Sequence, residues 1–189
     1  APTFRHKMFD GYKAQRKGMP EELAQQLPVI KELLDDLGYR ILTLEGYEAD
    51  DILGTLSAMC EQQGQECYIA TGDRDSLQLI GDHTTVLLAS SRMGKSETVI
   101  CDEAYFYEKY GTKPHGLIDI KALMGDSSDN IPGVPGIGEK TALKLIGQYG
   151  TLDAVYENLD SLPVTKSVKA KLEAGKDSAY MSRTLATID

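Results

Sequence analysis

Leu23, Leu27, Ile30, Leu33, Leu34 and Leu37 recur at three- and four-residue intervals, the period of an amphipathic helix. Met19-Pro20-Glu21-Glu22 opens that helix, because proline is tolerated in a first turn and acids there face the positive helix end. Pro28 lacks an N–H and should kink or restart it, and Gly38 should end it. Tyr39–Leu44 reads as a short strand. Ile52, Leu53, Leu56 and Met59 give Ala49–Gln62 an apolar helical face, closed by Gly64. Cys67–Ala70 reads as a short buried strand, and Thr84–Ala89 and Glu97–Ile100 as two more, joined by a turn at Met93-Gly94. Beyond them the pattern is helical: Asp102–Tyr110, Leu117–Leu123, a glycine-punctuated turn from Gly133 leading into a helix up to Gly147, then Leu152–Asn158 and Val164–Glu173. Strand–helix alternation in the first half predicts an α/β layer with a central, mostly parallel sheet flanked by helices, followed by an all-helical part. No tandem repeat or low-complexity tract interrupts the pattern.

The 189 residues, 41% apolar and 26% charged, fit a globular chain with one substantial core and exclude wholesale disorder, collagen and long coiled coils. No apolar run is long enough for a membrane span, and the opening APTFRHKMFD is no secretory signal. Its lack of an initial Met reads as the start of a fragment. Cys60, Cys67 and Cys101 are odd in number and lack zinc spacing, so they read as reduced, mostly buried thiols of a cytosolic protein. The net charge of −9 argues against binding nucleic acid over the whole surface, but its distribution is uneven. Residues 1–18 hold Arg5, Lys7, Lys13, Arg16 and Lys17 against Asp10 alone. Residues 45–82 hold nine acids against Arg74. Residues 163–183 hold five basic residues against Glu173 and Asp177.

The acids gather where strands hand over to helices or loops. Glu48 and Asp51 are three apart at a helix start, with Asp50 between them. Asp73 and Asp75 directly follow the strand Cys67–Ala70 and are two apart, so an extended backbone points both the same way. Asp126 and Asp129 are three apart at a helix end. In parallel α/β folds ligands bind at the carboxyl ends of strands, so these seven carboxylates are placed to converge. Like charges 4 Å apart repel by about 4 kcal/mol at an effective dielectric of about 20, against a total stability of about 5–15 kcal/mol. Convergence therefore calls for a cation, and oxygen ligands select Mg²⁺ or Mn²⁺. A pair of such ions suits phosphodiester cleavage. Taken singly, each cluster also reads as a helix cap or an Asp-rich turn.

Residues 131–146 read IPGVPGIGEKTALKLI. Gly133, Gly136 and Gly138, with Pro132 and Pro135, force a tight turn, and the helix begins at Glu139. Gly136 and Gly138 leave N–H groups bare at a helix N-terminus, where a phosphate can approach; Thr141 lies in the helix's first turn, and Lys140 and Lys144 add positive charge. The spacing fits neither a P-loop nor a dinucleotide fingerprint. It is a helix–hairpin–helix pattern, which holds a nucleic-acid backbone without reading sequence.

With MGDSSDNIPGVPGIGEKTA (124–142), TFRHKMFDGYKAQR, EADDILGTL, TGDRDSLQL and AYMSRTLATI, the chain resembles, over its whole length, the 5′ nuclease domains of bacterial DNA polymerases I in the flap endonuclease family. The resemblance implies a PIN-like fold and a metal-dependent 5′→3′ exonuclease and flap endonuclease that removes 5′ flaps and RNA primers from nicked or branched DNA in replication and repair. It implies two Mg²⁺ or Mn²⁺ held by Glu48, Asp50, Asp51, Asp73, Asp75, Asp126 and Asp129, with Asp73, Asp75, Asp126 and Asp129 mainly on one ion. Arg5, Lys13 and Arg16 match phosphate-facing bases at the entry to a helical arch, and Lys13 and Arg16 are matched to the scissile phosphate. The glycine loop matches a helix–three-turn–helix that grips duplex and binds K⁺ through carbonyls. A monomer in the bacterial cytoplasm, with a polymerase domain in the parent chain, is implied too. The family's first strand, with its Asp-Gly-Asn signature, and a further metal-binding Asp would precede Ala1. The resemblance thus implies a truncated fragment with an incomplete first metal site and uncovered apolar surface.

We expect two parts: a nuclease core over 1–123, with an arch-like segment over 1–37, and a helical DNA-binding part over 124–189, with its hairpin at 131–146. A haloacid-dehalogenase-type phosphohydrolase fits TGDRD but lacks its DxD nucleophile in residues 1–47. A non-catalytic structure-specific DNA-binding module remains the alternative. His6, His83 and His115 lack metal-ligand spacing. Tyr105, Tyr107 and Tyr110 read as helix packing, and Phe9 and Tyr12 either as core or as base-stacking surface.

Overall fold

The computed structural model describes residues 2–92 and 95–189; the expected turn at Met93-Gly94 lies outside the described residues. The first part runs α1 (Phe4–Met8), α2 (Glu21–Asp36), α3 (Ala49–Gln63), β1 (Cys67–Thr71), a 3-10 turn (Arg74–Leu79), β2 (Thr84–Arg92), β3 (Lys95–Cys101) and α4 (Glu103–Tyr110). Then follow α5 (Gly116–Met124), α6 (Glu139–Tyr149), α7 (Leu152–Glu157), α8 (Lys166–Ala174) and α9 (Lys176–Ala186). The sheet order is β1-β2-β3. β1 and β2 are parallel, with Ile69 opposite Val86. β3 pairs antiparallel with β2, Arg92 meeting Lys95, because so short a connection leaves no room for the crossover that parallel pairing needs.

Two cores lie on either side of α5. Ile69, Leu77, Val86, Leu88 and Phe106 pack with Leu117 beneath the sheet. Leu145, Ile146, Leu152, Val155 and Leu172 pack with Ile120 and Leu123 among the helices. A smaller cluster of Tyr12, Ile118, Ile131 and Leu185 joins the N-terminal segment to both. Three faces of α5 thus belong to three clusters, and Gly116–Leu123 are all buried.

Three expectations change. Tyr39–Leu44 forms no strand: it has no ladder partner among the described residues, and Ile41, Leu42 and Leu44 are exposed. A strand needs a neighbouring backbone to pair with, and this segment lies against none among the described residues, although β1 leaves one edge open. Pro28 does not restart α2, which runs on as one helix from Glu21 to Asp36. A proline removes a single intrahelical hydrogen bond, and the remaining turns carry the helix past it. None of the residues of α2 is buried, so its apolar stripe is not part of the core. The pattern also missed α9, whose inner face is Ala179, Ser182, Leu185 and Ala186, too small and too polar to register as an apolar stripe. Gly38 (φ 82°) and Gly64 (φ 63°) end α2 and α3 in the left-handed conformation, as expected.

The three cysteines are free: Cys101 is buried, Cys60 and Cys67 half-buried. His6 takes part in the cap of α1, accepting from the Thr3 N–H at Nδ1 (3.1 Å). Phe106 stacks on Tyr110 at 4.4 Å, whereas Tyr107 faces outward.

Candidate metal and nucleic-acid site

Each acidic cluster first serves its own element. The Glu48 carboxylate caps α3, and the Asp51 carboxylate reciprocates by accepting the Glu48 N–H (2.8 Å). Asp73 caps the 3-10 turn, accepting from the Asp75 N–H (2.9 Å). Asp126 folds the loop after α5 by accepting from Ser128 N–H and Oγ (2.8 and 2.6 Å). The local cap reading and the convergent reading therefore hold together.

Six of the seven carboxylates line two hollows. The wider, about 380 Å³, is bounded by Asp73, Asp75 and Asp126 with Lys121. The narrower, about 20 Å³, is bounded by Glu48, Asp50, Asp73, Asp75 and Asp129 with Lys13. Asp73 and Asp75 belong to both, so the two form one acidic cleft beyond the C-terminal end of β1. Tyr12, 2% exposed, closes its floor and donates to Glu48 Oε2 (3.0 Å); it is core. Phe9 is half-buried against the same cluster.

Basic side chains stand among these acids. Lys13 Nζ donates to both oxygens of Glu48 (2.7 and 2.9 Å) and lies 3.5 Å from Asp129. Arg16 Nη2 donates to Asp129 Oδ1 (2.6 Å). Lys121, 6% exposed, donates to Asp75 and to Asp126 Oδ2, the latter at 2.6 Å. Burial pushes the Asp126 carboxyl up, but the bonds from Lys121 and Ser128 outweigh it and hold the group at about 2. Burial raises Asp75, which Lys121 only partly offsets. Asp50 is raised by burial, then by Asp73 and Asp75, and it accepts no hydrogen bond among the described residues.

Three residues matched by the resemblance are engaged within the chain. Asp51 is 2% exposed. Its oxygens accept from Arg5 Nη1 and Nη2 (2.9 and 2.6 Å), Glu48 N–H and Asp189 N–H (3.1 Å). A carboxylate offers about four acceptor positions, and the bonds from Arg5, Glu48 and Asp189 take all of them in this arrangement. Arg5, also 2% exposed, spends its guanidinium on Asp51 and on the carbonyls of Leu185 and Thr187. Asp129 accepts from Arg16 and Tyr12, pairs with Lys13, and lines the narrower hollow with Asp73 and Asp75 but not the wider one with Asp126.

The hairpin shows a similar division. Gly133 (φ 62°) is buried: its N–H donates to Ser182 Oγ (2.9 Å) and its carbonyl accepts from Ser178 Oγ (2.6 Å). A Cβ there would stand 2.2 Å from the backbone nitrogen of Gly125, so this glycine closes the loop instead of meeting a ligand. Ser178 and Ser182 on α9 were invisible to motif reasoning. Gly136 (φ 80°) and Gly138 are exposed, and their N–H groups meet no acceptor among the described residues. Lys140 and Lys144 project, exposed, from α6, and Thr141 is half-buried in its first turn. Glu139 and Leu143 of α6 also line the wider hollow, so the acidic cleft and the hairpin helix share one surface.

Residues 1–111 match the family described as 5′-3′ exonuclease, N-terminal resolvase-like domain, and residues 112–189 match its C-terminal SAM fold. The chain belongs to the 5′-3′ exonuclease family. It is 46% identical over 187 residues to DNA polymerase I of Streptococcus pneumoniae, covering 99% of this chain and 21% of that protein. It is 48% identical over 186 residues to DNA polymerase I of Bacillus subtilis, covering 98% and 21%. The chain thus spans about a fifth of the length of these relatives. Among solved structures, a lysine-to-alanine variant of phage T5 5′-exonuclease shares the fold (TM-score 0.80, 22% identity, 99% of this chain and 70% of that one). A phage T5 flap endonuclease in complex with DNA and metal ions does as well (TM-score 0.77, 22% identity, 99% and 70%). The expected α/β layer followed by a helical part is therefore the fold of this chain.

The cleft's donor set suits hard divalent cations: six carboxylates, all oxygen, one of them half-buried without a partner. As placed, no three Asp, Glu, His or Cys side chains among the described residues close around a single ion; the ammonium groups of Lys13 and Lys121 stand between them.

Proposed function

We propose that the chain is the nuclease part of a metal-dependent 5′→3′ exonuclease and flap endonuclease. It would hydrolyse phosphodiester bonds in 5′ flaps, nicked or branched duplex and RNA primers during DNA replication and repair. The observation that carries this reading is the continuity of the cleft. Carboxylates from α3, the 3-10 turn and the loop after α5 face one surface, and that surface reaches Glu139 and Leu143 at the start of α6.

Asp73, Asp75 and Asp126 would hold one Mg²⁺ or Mn²⁺, and Glu48, Asp50 and Asp129 a second. Such cations supply Lewis-acid polarisation of phosphoryl oxygens and an acidified water. Lys13 and Arg16 bring positive charge to the rim of the narrower hollow, where a phosphodiester would replace their present carboxylate partners and take charge-assisted hydrogen bonds. Tyr12 excludes water beneath them. The Gly136 and Gly138 N–H groups, with Lys140 and Lys144, would hold the duplex backbone without reading sequence. A K⁺ on the hairpin carbonyls belongs to the same reading; Lys171 Nζ already sits 3.3 Å from the Gly136 carbonyl. Residues 1–123 would carry the chemistry and 124–189 the grip, in a monomer working in the bacterial cytoplasm beside a polymerase domain of the same polypeptide.

A 5′-labelled flap duplex incubated with the chain and Mg²⁺ or Mn²⁺ tests this. Release of short labelled products is expected, abolished by chelator and reduced at least 100-fold, on the order of losing a charge-stabilising group, by Asp73→Ala or Asp126→Ala. Tight, salt-sensitive binding of the flap with no cleavage in either metal would favour the non-catalytic DNA-binding module instead.

A further inference from the structure

Among the described residues two non-glycine residues have left-handed backbone, Lys13 (φ 53°) and Asn130 (φ 56°), and they meet across one contact. The Lys13 N–H donates to the Asp129 carbonyl at 2.8 Å. Asn130 Nδ2 donates to the Gly11 carbonyl at 2.6 Å, and its Oδ1 accepts from Gln15 Nε2 at 3.3 Å. Residues 9–16 form a strap of consecutive turns: Tyr12 N–H to the Phe9 carbonyl, Ala14 N–H to Gly11, Arg16 N–H to Lys13. These turns aim Lys13 at Glu48 and Arg16 at Asp129. Asparagine tolerates the left-handed region, but a lysine there is uncommon and needs the surroundings to impose it.

We propose that Asn130 is a positioning residue: its side-chain amide pins the strap 9–16 to the loop 126–131 and thereby presents Lys13 and Arg16 to the cleft. The inference rests on the nuclease reading for what the strap is positioned to do, whereas the clamp itself rests on these contacts alone. The competing account is that Asn130 serves only its own φ, in which case glycine would serve as well. Glycine keeps the backbone free and removes both side-chain bonds. Aspartate keeps the shape but sets an acceptor against the Gly11 carbonyl. Asn130→Gly and Asn130→Asp therefore remove the clamp without imposing backbone strain.

The first measurement needs no DNA. Limited trypsin digestion of the folded chain reports opening of the strap through cuts after Lys13 and Arg16, with the cut after Lys171 as internal reference. Both variants should be cut after Lys13 and Arg16 on the order of tenfold faster, as expected for a locally opened segment. The reference cut and the melting temperature should stay close to wild type. An unchanged digestion pattern overturns the clamp whether or not the chain cleaves DNA. The second measurement is flap cleavage with Mn²⁺. In Asn130→Gly, kcat should fall roughly 10- to 100-fold, the scale of an ångström-sized misplacement, with KM little changed, and adding Asn130→Gly to the double variant Lys13→Ala/Arg16→Ala should slow it no further. Additive losses overturn the positioning role and leave the nuclease reading standing. No cleavage by the wild-type chain overturns the nuclease reading, and the digestion result still decides the clamp.

Discussion

Arg5 and Arg16 sit eleven residues apart in one basic, aromatic segment, and nothing local separates their roles. The fold does. Arg16 reaches Asp129 at the rim with half its side chain in solvent, whereas Arg5 is sealed inside, bonded to Asp51 across 46 positions of sequence. The Arg5 guanidinium also takes the Leu185 and Thr187 carbonyls, so it fastens α1 and α3 to the end of α9. Burial pushes the Asp51 carboxyl up, but the Arg5 bonds and the N–H groups of Glu48 and Asp189 outweigh it, and the group titrates below its ordinary range. Removing one partner of a buried pair costs about 3–5 kcal/mol, so Arg5→Met should lower unfolding stability by that order in urea titrations. The sign with pH follows from the depressed value. The pair's contribution is complete above the ordinary carboxylate pKa and is lost as pH falls through the lowered folded value. The gap between wild type and Arg5→Met should therefore narrow as the medium is acidified below about pH 4. A gap constant down to acid unfolding would show that Asp51 is not the partner that matters. Residue roles of this kind were illegible because a long-range ion pair leaves no mark on either residue's neighbours in sequence.

Elements were legible where their signal is local. The glycine hairpin was read correctly as a turn into a helix because its glycines state the backbone they need, and α3 and α4 announced themselves by period and cap. Tyr39–Leu44 and α9 failed for opposite reasons: a strand depends on a partner elsewhere in the chain, and a helix lined by Ala179, Ser182 and Ala186 buries little apolar area to advertise it. The division within the hairpin also came only from the fold, Gly133 facing inward to α9 and Gly136 and Gly138 facing out. The exposed face of α6 then carries its own prediction. Lys140 and Lys144 are four apart on one side of the helix, next to the bare N–H groups. Lys140→Ala and Lys144→Ala should each weaken duplex binding alike across unrelated sequences and flatten the log–log salt dependence by about one unit. Fluorescence anisotropy at several salt concentrations measures both. Loss confined to particular sequences, or an unchanged slope, would remove these lysines from the backbone grip.

The net charge of −9 takes its meaning from where the whole molecule puts it. The acids that cap α3, the 3-10 turn and the loop after α5 are brought to one cleft, and the chain's own cations enter with them: Lys13, Arg16 and Lys121 each hold acids there. Asp50 is left over, half-buried, raised by burial and by Asp73 and Asp75 against a smaller pull from Lys13, with no ion pair or hydrogen bond of its own among the described residues. A cleft so arranged is less stable without a bound cation than with one. A ligand at about 100 times its Kd adds about 2.7 kcal/mol by mass action, which for a chain of this size is roughly 5–10 °C in Tm. Mn²⁺ should therefore raise the melting temperature of the wild-type chain by that order, measured against a chelator control. Asp50→Asn removes a like charge and a ligand together. In chelator its melting temperature should equal or exceed the wild-type value, and its Mn²⁺-dependent rise should shrink by at least half, on the order of 1 kcal/mol of lost linkage. Asp153→Asn, which disturbs an ion pair with Arg183 outside the cleft, should leave the Mn²⁺ increment as it is. If Asp50→Asn instead melted lower in chelator and kept its full increment, Asp50 would be an ordinary structural acid, and the narrower hollow would not be where the cation goes.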